Sequence, residues 1–257
     1  MNINELLSII SALAKNNGIS TPFIVGGVPR DRIIGKQGRD INDLDITTGD
    51  DGSTKLGALL AKKFEDSKLR EYDDGHSSIN IKGLRIDFSN NFVVPGIDSI
   101  LKKMGIKNIT PMKREIYSRD FTVNTLLEDL SFSNIYDLTG EAEDDIKAGL
   151  LRCPIDPDIT IGTDPRRILR ALKFSIKYGF SIEDNLKNAI LNNRNKIKSL
   201  SKDFVKDRVS EIVRLNSEDG INLLVNYKIL PLAELSKPVY DALIKRRELS
   251  KAFDGME

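Results

Sequence analysis

The chain has 257 residues, 40% hydrophobic and 30% charged, with a formal net charge of +1, an ordinary globular balance with material for one large domain or two modest ones. Cys153 and His76 are the single cysteine and histidine, which excludes an internal disulfide, a CxxC redox site, a zinc cluster and metal sites built from several imidazoles. No apolar run approaches the roughly 18 residues that span a bilayer, so a cytoplasmic protein with no membrane association is expected.

In chain order, the first predicted helix is Asn4 to Lys15, where Leu, Ile and Ala alternate with polar positions. It lacks the basic start and unbroken apolar centre of a signal peptide. A short strand, Phe23 to Val25, then breaks into Gly26 and Gly27, and a helix carrying Arg30 and Asp31 follows. Glycines let a backbone turn tightly, approach a phosphate and present its N–H groups to it. Arg30 adds a cationic fork suited to phosphate oxygens. After a loop rich in glycine and charge, Leu44 to Thr47 reads as a strand, so Asp43 and Asp45 point to one face about 6 to 7 Å apart along the backbone. Mg²⁺ is commonly held by one or two carboxylates plus substrate phosphates. A double glycine alone is often just a tight turn, and Asp-x-Asp alone occurs by chance. Their order points to metal-assisted chemistry on a nucleoside triphosphate.

A helix is predicted over Thr54 to Phe64, then strands over Ser77 to Lys82 and Leu84 to Ser89 with a hairpin at Gly83. Asp87, on the second of these, can supply the third carboxylate that a two-metal site calls for, or can be a solvent-facing strand residue. Ser118 to Asn124 reads SRDFTVN and leads into a predicted helix, Phe121 to Leu130, with Arg119 and Asp120 at its start and Asp120 placed to act as a cap. Leu150 to Gly162, with Pro154, Pro157 and Gly162, is the expected boundary between an α+β part, residues 1–150, and an all-helical part, residues 151–257. The next helix runs from Asp164 at the N-cap and Pro165 at N1 to Tyr178, with Gly179 as its stop. Further helices are predicted over Ile182 to Asn192, Lys202 to Leu215, Glu218 to Tyr227 and Lys237 to Phe253. Arg194, Lys196, Lys198, Lys202, Lys206 and Arg208 form either an RNA-binding face or a solvated helical surface interspersed with Asp203 and Asp207.

FIVGGVPRD…DLD, RDFTVNTL, YDLTGEAEDDIKAGLLR and DPRRILRALKFSIKYGF occur in that order. Their order and approximate spacing resemble the class II tRNA nucleotidyltransferase (CCA-adding enzyme) and bacterial poly(A) polymerase family, of the polymerase-beta-like nucleotidyltransferase superfamily. The resemblance covers roughly residues 22 to 181. It implies an α+β fold whose head is a mixed sheet with flanking helices, followed by a helical neck and body.

The resemblance also implies that Asp43 and Asp45 bind two Mg²⁺ ions, with Asp87 as a looser third acidic position. It places Gly27 and Arg30 at the triphosphate, with Gly26 of the same turn among the nucleotide-binding positions. Arg119 and Asp120 match an Arg-Asp pair that contacts the nucleotide, the carboxylate at the ribose hydroxyl. Asp164 and Arg167 match an amino-acid template for the incoming base. The chemistry agrees: a carboxylate accepts from the exocyclic amino group of cytosine or adenine, and a guanidinium donates to the neighbouring ring nitrogen. Three apart on a helix, the two share a face, and Arg170 and Lys173 continue it.

Three departures from the family pattern stand out. Pro29 replaces a valine, Thr163 replaces a glutamate that would help hold Arg167, and Lys173 replaces an arginine. Typical members also extend past residue 257, which leads to the expectation of a shorter RNA grip, binding of the acceptor end alone, or a homo-oligomer. The implied reaction adds C and A from CTP and ATP to the 3′ acceptor end of tRNA. Poly(A) addition to general RNA, and a catalytically silent RNA-binding protein, are the competing readings.

Overall fold

The computed structural model describes residues 2–35, 41–64, 66–73, 75–89 and 92–254. The glycine-rich charged loop anticipated before Asp43 falls largely on residues 36–40, outside the described residues. The chain divides into two compact units, Met1–Ala148 and Gly149–Glu257.

The first unit is built on a seven-stranded sheet formed by β1 (Phe23–Val25), β2 (Asp43–Thr47), β3 (Leu69–Glu71), β4 (Ser77–Ile81), β5 (Leu84–Phe88), β6 (Leu127–Asp129) and β7 (Ile135–Tyr136). Their spatial order is β3-β4-β5-β2-β1-β6-β7. Every neighbouring pair is antiparallel except β2 and β5, which run parallel. Around the sheet lie α1 (Ile3–Asn16), α2 (Gly27–Ile33), α3 (Gly52–Lys63), α4 (Ile97–Lys103), α5 (Pro111–Tyr117) and α6 (Ala142–Ala148).

Side-chain alternation decides what each face of this sheet does. Leu44 and Ile46 of β2, Ile86 and Phe88 of β5, Ile24, Ile79 and Ile81 pack with Leu6, Leu7 and Ile10 of α1 and Leu56 and Leu60 of α3 in one buried cluster. With a period of two, Asp43, Asp45 and Asp87 are thereby sent to the opposite face. Close packing of α3 depends on Gly57, where a Cβ would stand 2.9 Å from the Phe88 ring. The predicted hairpin at Gly83 is present. Lys82 and Gly83 both have positive φ, 51° and 90°, the signature of a two-residue type I′ turn.

Residues Phe121 to Leu130 do not form the predicted helix. A single 3-10 turn, Thr122–Asn124, gives way to β6, which pairs with the edge of β1 so that Val25 faces Leu127. The edge of β1 has backbone groups that need partners, and Leu127 to Asp129 supply them as β6. Tertiary pairing therefore overrides the helical spacing.

The second unit contains β8 (Leu150–Leu151), β9 (Ser181–Ile182), α7 (Pro157–Thr163), α8 (Arg166–Tyr178), α9 (Asp184–Asn193), α10 (Lys202–Leu215), α11 (Ser217–Asn226) and α12 (Lys237–Asp254). Leu150 to Gly162, read as a boundary, in fact holds β8 and most of α7. Pro157 sits in the first turn of α7 and the Asp156 side chain caps it by accepting from the Asp158 N–H. The unit is not wholly helical, since β8 and β9 form a short parallel ladder. Ile168, Leu169, Ala171 and Leu172 bury the apolar side of α8, which packs on α10 and α11, and Gly179 at φ 70° ends it. Among the described residues no helix is long and apolar enough to cross a membrane.

Candidate active site

The parallel register of β2 and β5 sets Asp45 directly beside Asp87, while Asp43 lies opposite Arg85. Arg85 was not singled out from the sequence, yet it stands within the acidic group. Its Nε donates to Asp87 Oδ1 at 3.0 Å, its Nη2 lies 2.8 Å from Asp87 Oδ2, and its Nε is 3.9 Å from Asp43 Oδ1. Partial desolvation and the negative charge of Asp87 raise the Asp43 carboxyl above its usual range, against the opposing effect of Arg85.

The glycine turn reaches this acidic face. Gly26 has φ 81°, and a Cβ there would stand 3.1 Å from Asp45 Oδ2 and 3.9 Å from Arg119 Nη1. Both the backbone conformation and the close approach of Asp45 therefore call for glycine. At Gly27 the nearest atom to an added Cβ, Arg30 Nη2, is 3.6 Å away, an ordinary contact distance, so the tight constraint falls on Gly26.

Arg30 is not an open fork at the surface. It is 5% exposed, its Nη1 donates to Asn124 Oδ1 at 2.6 Å, and its Nε donates to Asp31 Oδ1 at 2.9 Å. Asn124 Nδ2 in turn donates to Asp120 Oδ1 at 3.0 Å, an oxygen that also accepts from the Phe121 N–H at 2.9 Å. One buried amide thus joins Arg30 on α2 to Asp120. Asn124 lay within the SRDFTVN stretch, but its role could not be read without knowing that α2 packs beside that turn. Arg119 is held by Glu115, whose Oε1 accepts from Nη2 at 2.9 Å. Glu115, another residue not anticipated, is four positions earlier and lies on α5.

In the second unit, Asp164 closes α7 rather than opening α8, whose first helical residue is Arg166. Its carboxylate still caps the following helix in effect: Oδ1 accepts from the Arg166 N–H at 3.0 Å and from Arg166 Nε at 2.9 Å. Arg167 is 7% exposed and its Nη1 donates to the Thr160 carbonyl at 3.3 Å. The backbone of α7 thus supplies an anchor for Arg167, while Thr163, in place of the family's glutamate, turns its hydroxyl to the Ile159 carbonyl. Arg170 lies 5.7 Å from the centroid of the Phe174 ring.

Lys173 does not stand open on the Arg170 face as expected. Its Nζ pairs with Glu211 Oε1 of α10 at 2.5 Å, and Arg208 pairs with the other oxygen of Glu211 at 2.7 Å. Burial opposes the charged form of Glu211, but the Lys173 hydrogen bond and the charges of Lys173, Arg208 and Arg214 outweigh it and hold the carboxyl below its usual range. In the basic cluster, Lys202 pairs with Glu234 at 2.6 Å, so that stretch is partly self-neutralised.

The acidic face can be tested for Mg²⁺ on its own donors. Among the described residues no three His, Cys, Asp or Glu side chains close on one point as a ready-made metal cage. The chain instead offers two exposed carboxylates, Asp43 and Asp45, with Asp87 in register and bound to Arg85. Hard oxygen ligands few in number, with room for substrate oxygens and water, match the way Mg²⁺ is usually held. Burial first, and the neighbouring Asp87 charge second, disfavour the ionised Asp43 carboxyl, and a bound cation would oppose both.

Residues 22–152 match the family described as the poly A polymerase head domain. A tRNA nucleotidyltransferase of Schizosaccharomyces pombe is 27% identical over 252 residues, covering 91% of this chain and 51% of its own length. The structure of a CCA-adding enzyme in complex with CTP superposes with a TM-score of 0.67 at 22% identity, covering 88% of this chain and 51% of that one. A CCA-adding enzyme of Thermotoga maritima complexed with tRNA gives a TM-score of 0.65 at 24% identity, again over 88% of this chain and 51% of that one. The chain spans about half the length of the curated relatives it matches.

The fold is therefore α+β, a mixed-sheet head of the nucleotidyltransferase type followed by a largely helical region. The chain belongs to the poly A polymerase head domain family, that of the class II CCA-adding enzymes.

Proposed function

We propose that this chain is a template-independent, Mg²⁺-dependent nucleotidyltransferase that adds C and A, from CTP and ATP, to the 3′ end of tRNA in the cytoplasm. The observation that carries the reading is the meeting of Asp43 and Asp45 with Asp87 on one face of the sheet, beside Gly26 and Arg119. A chain that only bound RNA would have no use for that group of carboxylates against a glycine turn. The C-and-A and tRNA assignments draw on the relatives, which include CCA-adding enzymes in complex with CTP, with ATP and with tRNA. No observation favours poly(A) addition to general RNA.

In this reading Asp43 and Asp45, with Asp87, hold two Mg²⁺ ions at the triphosphate. Bound there, Mg²⁺ supplies Lewis-acid activation of the RNA 3′ hydroxyl and charge neutralisation as pyrophosphate leaves. Gly26 keeps the α2 turn close to Asp45 without a side chain in the way. Arg119 offers its guanidinium to the phosphates, and Asp120, oriented by Asn124, accepts from the ribose hydroxyl. Arg30 acts by holding Asn124 as well as by its charge near the triphosphate. Asp164 and Arg167 read the amino group and ring nitrogen shared by cytosine and adenine, with Arg170 nearby. Lys173, committed to Glu211, contributes by fixing α8 to α10.

The test is extension of tRNAs lacking one, two or three terminal nucleotides, with each labelled triphosphate supplied separately. Incorporation of C and then A onto the matching substrates is expected, and none with Asp43→Ala, whose thermal melting should be unchanged because the residue is exposed. Incorporation that survives Asp43→Ala would remove the metal assignment. Extension of any RNA by A alone would shift the reading to poly(A) addition.

A further inference from the structure

Glu115 is a charged residue at 3% exposure that the proposed chemistry does not use. Its carboxylate accepts hydrogen bonds from three other parts of the head. Thr47 Oγ1, at the end of β2, donates to Oε2 in a short contact. Ser89 Oγ, just beyond β5, donates to Oε1 at 2.9 Å, and Arg119 Nη2 donates to the same oxygen at 2.9 Å. Thr47 Oγ1 is further fixed by accepting from the Gly49 N–H at 2.9 Å. A buried carboxylate is strongly unfavourable unless donors surround it, and here two of the three donors, Thr47 and Ser89, stand at the ends of the strands that carry Asp43, Asp45 and Asp87.

Arg119 shows what this arrangement leaves unfinished. Glu115 holds one corner of its guanidinium, and Nη1 lies 3.9 Å from the Cβ position of Gly26, which is itself 3.1 Å from Asp45 Oδ2. Among the described residues its Nε is buried with no hydrogen-bond partner. Buried donors are almost always satisfied, so an orphan beside the acidic face is a donor whose acceptor arrives with the ligand.

We propose that Glu115 is the positioning residue of the nucleotide site: its carboxylate sets the angle of the Arg119 fork toward a bound triphosphate and ties that fork to the ends of β2 and β5. One side chain thereby fixes the distance between the phosphate-binding guanidinium and the Asp43, Asp45 and Asp87 face. The assignment rests on the nucleotidyltransferase reading above and adds to it a residue that touches neither nucleotide nor metal.

The test is a double-mutant cycle on the full chain, read as KM and kcat for CTP and ATP and as the Kd of Mg²⁺–CTP by titration calorimetry. Glu115→Gln keeps the size of the side chain but removes its charge, and should raise KM and Kd about tenfold with kcat changed less than about threefold, the pattern of lost ground-state binding. Because Glu115 acts through Arg119, adding Glu115→Gln to Arg119→Ala should cost less than about twofold more. Glu115→Asp should restore part of the affinity. If Glu115→Gln lowers the folded fraction, Ser89→Ala, which removes one donor to the same carboxylate, should show the same non-additivity with Arg119→Ala at about two- to threefold. Additive effects, or a fall in kcat and melting temperature with KM unmoved, would overturn the assignment. An unaltered chain that neither binds Mg²⁺–CTP nor extends tRNA would overturn the enzymatic reading and this assignment together, whereas additive effects in an active chain would overturn this assignment alone.

Discussion

Arg85 and Asp87 lie two positions apart on β5, on the same face, and are joined by paired contacts of 3.0 and 2.8 Å. The guanidinium lies near Asp43 as well, at 3.9 Å, so it occupies part of the negative field that a divalent ion would also use. Arg85→Met keeps much of the stem and removes the competing charge. The Mg²⁺ concentration for half-maximal incorporation should fall about two- to fivefold, the modest size expected for a half-exposed pair. An unaltered Mg²⁺ titration would mean that Arg85 and the ion do not share these carboxylates.

Asn124 joins two buried charged side chains, accepting from Arg30 at 2.6 Å and donating to Asp120 at 3.0 Å. Asn124→Ala removes one hydrogen bond from each of these two buried charged side chains. A stability loss of about 2 to 3 kcal/mol is expected, measured as a lower urea midpoint at constant slope. A variant as stable as the parent would show that Arg30 and Asp120 find other partners when the amide is removed.

Arg167→Ala should blur the choice of base more than it slows incorporation. A bidentate contact to a base edge discriminates by about 1 to 3 kcal/mol, and that is the scale of preference for C and A over U and G at stake. Incorporation of the four nucleotides in separate reactions measures it. Arg167→Lys is a useful companion, since it keeps the charge but not the fork, and a profile matching the parent in both variants would contradict the template role.

Glu211 gives a pH signature. Its carboxyl is held below the ordinary 4.5 in the folded chain, so the pair with Lys173 stabilises fully above about pH 4.5 and that contribution is lost as pH falls through the lowered folded value. Glu211→Gln should therefore be less stable than the parent at pH 7, and the difference in denaturation midpoint should shrink as pH drops below about 4.5. A difference that stays constant from neutral to acid pH would assign the effect to packing instead.

Much of this architecture was legible because local patterns and tertiary demands agree. The alternation DLDIT sends Leu44 and Ile46 inward and Asp43 and Asp45 outward, and Pro165, at the N-cap one position before the expected N1, and Gly179 bracket α8 by their backbone preferences. The same logic failed at Phe121 to Leu130, where helical spacing lost to the unpaired edge of β1. It also missed α4, α5 and α6, which are short and carry little periodicity.

The linear chain was enough to specify the ingredients: the glycine turn, the Asp-x-Asp strand, the Arg-Asp pair and the α8 stripe, because each needs only neighbours along the backbone. Distances between side chains from separate elements were settled by folding. Sequence spacing says nothing of Arg85 entering the acidic group, Asn124 bridging Arg30 and Asp120, Glu115 gathering Thr47, Ser89 and Arg119, or Lys173 turning to Glu211. Those pairings depend on which elements pack together, and a buried charge takes whatever partner that packing brings within reach.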